Sequence, residues 1–219
     1  MTKAEFDVLS KELMVLSGRI PLKWGAVQNN QYDKLINMFS CHTFKTLEDN
    51  LAPYDEAIKQ YFRRRWYMWK CAQCDEYLFC ENDGVISNPN VKDQSWDIEI
   101  RGINKFDIKG TVIPKEMRRS SDAIMVDPYL MIKFFYDRQS RGVRYCCQNR
   151  LFVVHHSSVE SSREFYLRCA WDAKRIAYKD FCVNFDSIRM FSYNGCAAAV
   201  IFIVEKEIGK VDYLIPRQC

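Results

Sequence analysis

At 219 residues, 48% of them hydrophobic and 14% aromatic, the chain is long enough to bury a substantial core and too apolar to be disordered. Its net charge of +4 permits a nucleic-acid partner without demanding one, so that argument falls to how the charge is distributed. The longest apolar run, Cys196 to Val204, is about half of the ~20 residues that a membrane-spanning helix needs, and MTKAEFDVLS carries acidic residues where a secretory signal needs an apolar stretch. A cytoplasmic protein with no membrane partner is expected, its ten cysteines being thiols or metal ligands and not a disulfide framework.

Phe6, Leu9, Leu13 and Leu16 recur at helical spacing and predict a first helix over residues 3–17, ending before Gly18 and Pro21. A short second helix is expected around Gln31 to Phe39. From Pro53 a long helix is predicted through PYDEAIKQYFRRRWYMWKCAQCDEYLF, with Asn50 as cap of an earlier start or Pro53 in the first turn. Glu56 in that first turn suits the helix dipole, and is also an acid that an adjoining site could use. Arg63, Arg64 and Arg65 precede Trp66, Tyr67 and Trp69, a mixture able to grip phosphate and stack on bases. A helix spreads consecutive residues around its circumference, so one or two phosphate contacts are expected from the arginines, with the tryptophans in the core.

Cys71, Cys74 and Cys80 follow as C-x2-C-x5-C, and C-x2-C is a usual half of a structural Zn²⁺ site. Cys41, His42, Cys146 or Cys147 would have to complete it. Buried free thiols are the alternative. The stretch ENDGVISNPNVKDQ is dense in turn formers and reads as a loop with a short strand at Val85 and Ile86.

Residues Ser95 to Pro114, SWDIEIRGINKFDIKGTVIP, organise the rest. Two runs of strict alternation flank a Gly-Ile-Asn corner and predict a β-hairpin. With the loop at Gly102, Ile103 and Asn104, Arg101 faces Lys105, Glu99 faces Asp107, and Asp97 faces Lys109. Like charges directly opposite each other destabilise a sheet by up to about 1 kcal/mol unless a cation sits between them. A divalent ion such as Mg²⁺ would fill that place, since it is held by one or two carboxylates together with water and substrate phosphate, and a neighbouring lysine can offset charge growing on the phosphate oxygens.

At these residues the sequence resembles the PD-(D/E)xK, or restriction-endonuclease-like, superfamily, with Asp97 as the acid on one core strand and Asp107-Ile108-Lys109 as the (Asp/Glu)-x-Lys on the next. The resemblance covers about fifteen residues closely. It departs from the family pattern in having Ser95 and Trp96, not proline, before Asp97, and in the closeness of the two acids; Asp83 in CENDG competes for the first position and Glu99 is an auxiliary ligand. The resemblance implies an αβββαβ core, Mg²⁺-dependent (or Mn²⁺-dependent) nuclease activity and DNA as the usual substrate, and it admits a homodimer.

Beyond the hairpin, Asp127 reads as an N-cap with Pro128 at the first position of a helix, YLMIKFFYDRQ. Then Arg138, Arg141, Arg144 and Arg150, with Gln148 and other amides, form a cluster of donors suited to phosphate oxygens and base edges. Leu151 to Val154 reads as a buried strand, followed by His155 and His156, which a nearby metal site could use for proton transfer. Residues 161–182 are an amphipathic helix, and CAAAVIFIVEKEIGKVDYLIP a buried strand, a turn at Ile208-Gly209-Lys210 and an outer strand. The order of elements predicts an α/β fold: a central mixed β-sheet flanked by helices, with a helical extension over 1–50 and the nuclease-like domain over 51–219. The expected function is metal-dependent hydrolysis of nucleic-acid phosphodiesters. A non-catalytic nucleic-acid-binding protein of the same fold, with or without structural zinc, is the alternative.

Overall fold

The computed structural model describes residues 1–20, 29–90, 93, 95–102, 104–118, 126–138 and 148–218. The chain forms two compact units, Met1–Cys74 and Asp75–Cys219, the division falling inside the long helix.

In the N-terminal unit, helix α1 (Lys3–Ser17) opens on a capping box, Thr2 accepting from the Glu5 N–H while the Glu5 carboxylate accepts from the Thr2 N–H, and it buries Phe6, Leu9, Leu13 and Leu16 as the spacing predicts. Residues 31–39 form two 3-10 turns, Tyr32–Lys34 and Met38–Ser40, in place of one helix. Asn37 accounts for the second, because its side chain accepts the Phe39 N–H and so favours a turn over a continued helix. Helix α2 (Phe44–Leu51) was not legible in the apolar pattern; Thr43 caps it, and Leu47 and Leu51 are its buried contacts. Helix α3 (Glu56–Cys80) starts after Asp55, whose carboxylate accepts the Ile58 N–H and supplies the cap in place of Asn50. Trp66 is buried and donates to the Cys41 carbonyl at 2.8 Å. Within this unit Arg63 pairs with Glu48 and Glu56 and Arg65 with Asp33, while Arg64 Nε donates to the Gln60 carbonyl at 3.1 Å.

The C-terminal unit is α/β, built on a seven-stranded mixed sheet with strand order β1-β2-β3-β4-β6-β5 and β7 beside β6. The strands are β1 (Val85–Ser87), β2 (Ile98–Ile100), β3 (Asn104–Val112), β4 (Arg150–Ser157), β5 (Phe191–Tyr193), β6 (Cys196–Glu207) and β7 (Lys210–Leu214). The first three form an antiparallel meander; β3, β4 and β6 run parallel, and β5 and β7 return antiparallel on β6. Helix α4 (Pro128–Arg138), begun by Asp127 as its cap, lays Met131, Ile132, Phe135 and Tyr136 over Phe152, Val154, Val200 and Phe202 on one face.

The other face carries a buried polar cluster. Asp75 accepts from Lys174 at 2.7 Å and from Tyr178 at 2.8 Å, and Arg168 lies 3.8 Å away. A Cβ on Gly110 would sit 1.3 Å from the Arg168 guanidinium, so this strand position must lack a side chain for the arginine to pass. The same cluster breaks the predicted helix over 161–182 into a 3-10 turn, α5 (Glu164–Leu167) and α6 (Trp171–Val183): the Lys174 ammonium takes the Arg168 carbonyl at 2.8 Å, a group that a continuous helix would have paired internally. No helix among the described residues is long and apolar enough to cross a membrane.

Asp75 is the counter-charge for two buried cations, and removing one partner of such a set leaves an uncompensated charge. Asp75→Ala is expected to cost about 3–5 kcal/mol in urea unfolding. Asp172→Ala, at a fully exposed carboxylate, leaves the midpoint in place; equal midpoints for the two variants would show the cluster to be dispensable.

Candidate metal and phosphodiester site

The hairpin turns one residue earlier than the sequence pattern predicts. Arg101 and Gly102 both have positive φ (53° and 68°), a pair whose twist matches that of the flanking strands. Arg101 tolerates the left-handed conformation while its guanidinium is anchored to Asp186 at 2.7 Å and to the carbonyls of Cys182 and Val183. The register becomes Ile98 with Phe106, Glu99 with Lys105, and Ile100 with Asn104. Glu99 therefore does not face Asp107; it pairs with Lys105 at 3.5 Å, and the Lys105 ammonium also lies 4.6 Å from the centre of the Trp96 ring.

Continued one step beyond β2, this register brings Asp97 to Asp107 instead of to Lys109. Two hydrogen bonds fix it there: the Asp97 N–H donates to the Phe106 carbonyl at 2.8 Å, and the Ile108 N–H donates to Asp97 Oδ2 at 2.7 Å. Asp107 is buried, with the Lys109 Nζ 2.6 Å from Oδ1 and the Arg150 Nε 3.6 Å from Oδ2. Parallel pairing sets Asp107 opposite Arg150 and Lys109 opposite Phe152, so the acid, the lysine and the arginine project from the face that α4 covers. Lys109 keeps 41% of its side chain exposed, whereas Arg150 is fully buried, its guanidinium 4.8 Å from the centre of the Tyr136 ring. The result is a pocket of charge with a closed back and an open lysine.

Burial, followed by the negative charge of Asp107, pushes the Asp97 carboxyl up to about 7; the Lys109 ammonium and the Ile108 N–H pull the other way. Near neutral pH Asp97 thus exchanges a proton readily, and a cation arriving between the two acids would displace it.

Arg150 is a buried partner of Asp107 and not the outward phosphate contact expected of it. Gln148 accepts the Tyr136 hydroxyl on its backbone carbonyl, tying the entry of β4 to the end of α4. Arg138 is exposed, near Glu116 at 3.3 Å and over the Phe134 ring. Arg141 and Arg144, like Cys146 and Cys147, lie outside the described residues. Asp83 is exposed in the turn before β1, whose pairing of Val85 with Ile100 puts it toward the corner end of the hairpin, away from Asp107. Glu56 accepts from Gln60 and Arg63 within the N-terminal unit. His155 projects to the opposite face, where its Nδ1 is 3.0 Å from the Thr111 carbonyl and burial holds its pKa well below the ordinary value. His156 meets Glu164 and Ser158 at the far end of β4. Cys71 and Cys74 are fully buried thiols outside any disulfide, and burial raises the Cys80 thiol to about 11. Among the described residues no three His, Cys, Asp or Glu side chains converge as metal ligands, around these cysteines or elsewhere.

A carboxyl raised in the folded state keeps its proton where the unfolded chain has lost it, so the Asp97 contribution lowers stability as pH rises from about 4 to about 7 and is constant above that. Asp97→Asn removes this term: urea midpoints of the variant relative to wild type should climb across that window, and a difference independent of pH would contradict the assignment. Comparison of the chain with protein-family models, with curated proteins and with solved structures finds no match, so the reading of this site rests on its own geometry.

Proposed function

We propose that the chain is a metal-dependent nuclease that hydrolyses phosphodiester bonds in nucleic acid, DNA being the first substrate to test. The observation that carries the proposal is the pair of aspartates, Asp97 and Asp107, held against each other with the Lys109 ammonium 2.6 Å from the second. Both bases, Lys109 and Arg150, bear on Asp107, whereas Asp97 is brought opposite that same acid and has no base of its own within ion-pair distance among the described residues, so two acids face each other beside a half-exposed lysine. The order of elements in the C-terminal unit supports the same reading: the end of α3, three antiparallel strands, α4, then a strand parallel to the third. That order is the one the restriction-endonuclease-like resemblance implies.

Two carboxylates fit Mg²⁺ or Mn²⁺, which take oxygen ligands and ordinarily keep several waters and a substrate phosphate besides one or two protein acids. Asp97 and Asp107 would hold the ion, which supplies Lewis-acid polarisation of the phosphate and acidifies a bound water. The chain's own groups do the rest. Lys109, open to solvent, positions the attacking water or meets the charge that grows on the non-bridging oxygens. Arg150, sealed beneath, fixes the Asp107 carboxylate by charge and contact and is a positioning residue. The Asp97 carboxyl, with its proton loosely held near neutral pH, accepts or releases it as the ion comes and goes. Arg138 and Gln148, with Arg141 and Arg144 between them in sequence, flank the site where α4 leads into β4, and are the side chains proposed to contact the nucleic-acid backbone.

The test is cleavage of supercoiled plasmid and of single-stranded DNA by the full chain with Mg²⁺ and with Mn²⁺. Wild type is expected to cut, and Asp107→Ala and Lys109→Ala each to lose about 100-fold or more in rate while keeping a DNA affinity that falls with salt. Salt-dependent binding without cleavage by wild type would replace the nuclease with a nucleic-acid-binding protein. Absence of both would remove nucleic acid from the account.

A further inference from the structure

The N-terminal unit contains a cleft of about 630 Å³ that the nuclease reading leaves unused. The apolar part of its wall is formed by Ala4, Val8 and Leu9 of α1, by Phe39, and by Trp69 of α3, and polar groups including His42, Thr43 and Gln73 make up the rest. Phe39 and Trp69 meet edge to face at 4.8 Å, and Phe39 and Val8 remain exposed, so the apolar lining continues to the rim. The volume falls within the range of small-molecule sites.

Lys70 lines the same cleft although its side chain is nearly enclosed, only 5% of the residue being exposed. Its ammonium lies 4.4 Å from the centre of the Trp69 ring and 5.7 Å from that of Trp66. Among the described residues it has no carboxylate within 4.0 Å and no hydrogen-bond acceptor; the two indole faces are what it touches. Glu12 and Glu5 favour its charge only from beyond ion-pair distance, and a largely buried ammonium with no carboxylate in contact is costly, a cost that cation–π contact offsets only in part. Burial accordingly lowers the Lys70 pKa. The two acids lining the cleft are committed elsewhere. Glu5 is held in the capping box of α1 by the Thr2 N–H and hydroxyl, and Glu12 accepts the Phe44 N–H at 3.2 Å.

We propose that this cleft is a binding site for a small apolar monocarboxylate, whose hydrocarbon body lies against Trp69, Leu9 and Val8 and whose carboxylate pairs with Lys70. The apolar walls select the body, and the enclosed ammonium selects an anionic head, forming a charge-assisted hydrogen bond in a site with little water. Glu5 and Glu12 line the cleft along with Met1 and His42, so a dianion such as a phosphate monoester would meet more repulsion from the two carboxylates than a single negative charge placed on Lys70.

The experiment uses the full chain and two carboxylates of different shape, 2-naphthoate and octanoate, each beside its neutral primary amide, with binding read by calorimetry and tryptophan fluorescence. At least one carboxylate is expected to bind with a Kd below about 1 mM and its amide at least about tenfold more weakly. Lys70→Met, which keeps the stem and removes the charge, should lose at least that factor for the carboxylate and none for the amide. Val8→Trp, at an exposed rim position where folding is not at stake, should weaken both by filling the mouth. No binding of either carboxylate at about 1 mM, equal binding of acid and amide, or binding that Val8→Trp leaves intact would each overturn the site. Should Lys70→Met fail to fold, the acid–amide comparison on wild type and the Val8→Trp result decide between these outcomes.

Discussion

Two carboxyls that repel each other are set opposite one another where β2 begins and β3 has run three residues, and the architecture around them is what makes that confrontation tolerable. The Ile108 N–H and the Phe106 carbonyl lock Asp97 to the backbone of β3, so it cannot swing away from Asp107 without losing two hydrogen bonds. Lys109 and Arg150 bring positive charge to Asp107 from two directions. Arg150 reaches it only because β4 runs parallel to β3 with residue 150 opposite 107. That pairing is secured in turn by α4, whose apolar face closes over Phe152 and Val154. The candidate site is thus a product of the crossover between two strands and not of a local loop.

The two faces of β3 carry charge of opposite character. On one, Asp107 and Lys109 open toward solvent through the lysine. On the other, Gly110 leaves room for Arg168, and Asp75, Lys174 and Tyr178 complete a cluster with essentially no exposed surface. A sealed set of buried charges fixes geometry and offers a substrate nothing. The half-open set, two acids with Lys109 and Arg150, leaves the lysine within reach of a ligand. Strand alternation keeps the two apart: had the register of β3 slipped by one residue, Asp107 would face the Asp75 cluster and Gly110 would sit beneath α4.

Much of this was legible in the residues, and the failures have physical causes. The spacing of Phe6, Leu9, Leu13 and Leu16 gave α1, and Asp127-Pro128 marked the start of α4, because caps and apolar periods are local signals. Alternation across residues 96–109 located the hairpin and put Asp97 near Asp107. It did not give the register, because a corner at Arg101-Gly102 requires a non-glycine residue with positive φ, which Arg101 adopts while anchored to Asp186, 85 residues away. The break within 161–182 depends on Lys174 turning inward to Asp75, 99 residues distant, and no local pattern reports such a partner. Arg150 looked like one more cation in a basic stretch; that it lies buried against Asp107 follows from strand pairing alone. Lys70 was likewise indistinguishable from an ordinary helical lysine until the two indoles around it were in place.

The central claim is that a divalent ion belongs between Asp97 and Asp107, and calorimetric titration of the full chain with Mn²⁺ in the absence of nucleic acid tests it most directly. Performed at neutral pH in two buffers of different ionisation enthalpy, the titration reports both the ion and the proton it displaces. One site per chain, release of a fraction of a proton that falls away as pH rises above about 7, and loss of binding in Asp107→Ala are the predicted results. Binding that persists unchanged in both Asp97→Asn and Asp107→Ala, or no binding at millimolar Mn²⁺, would contradict the account.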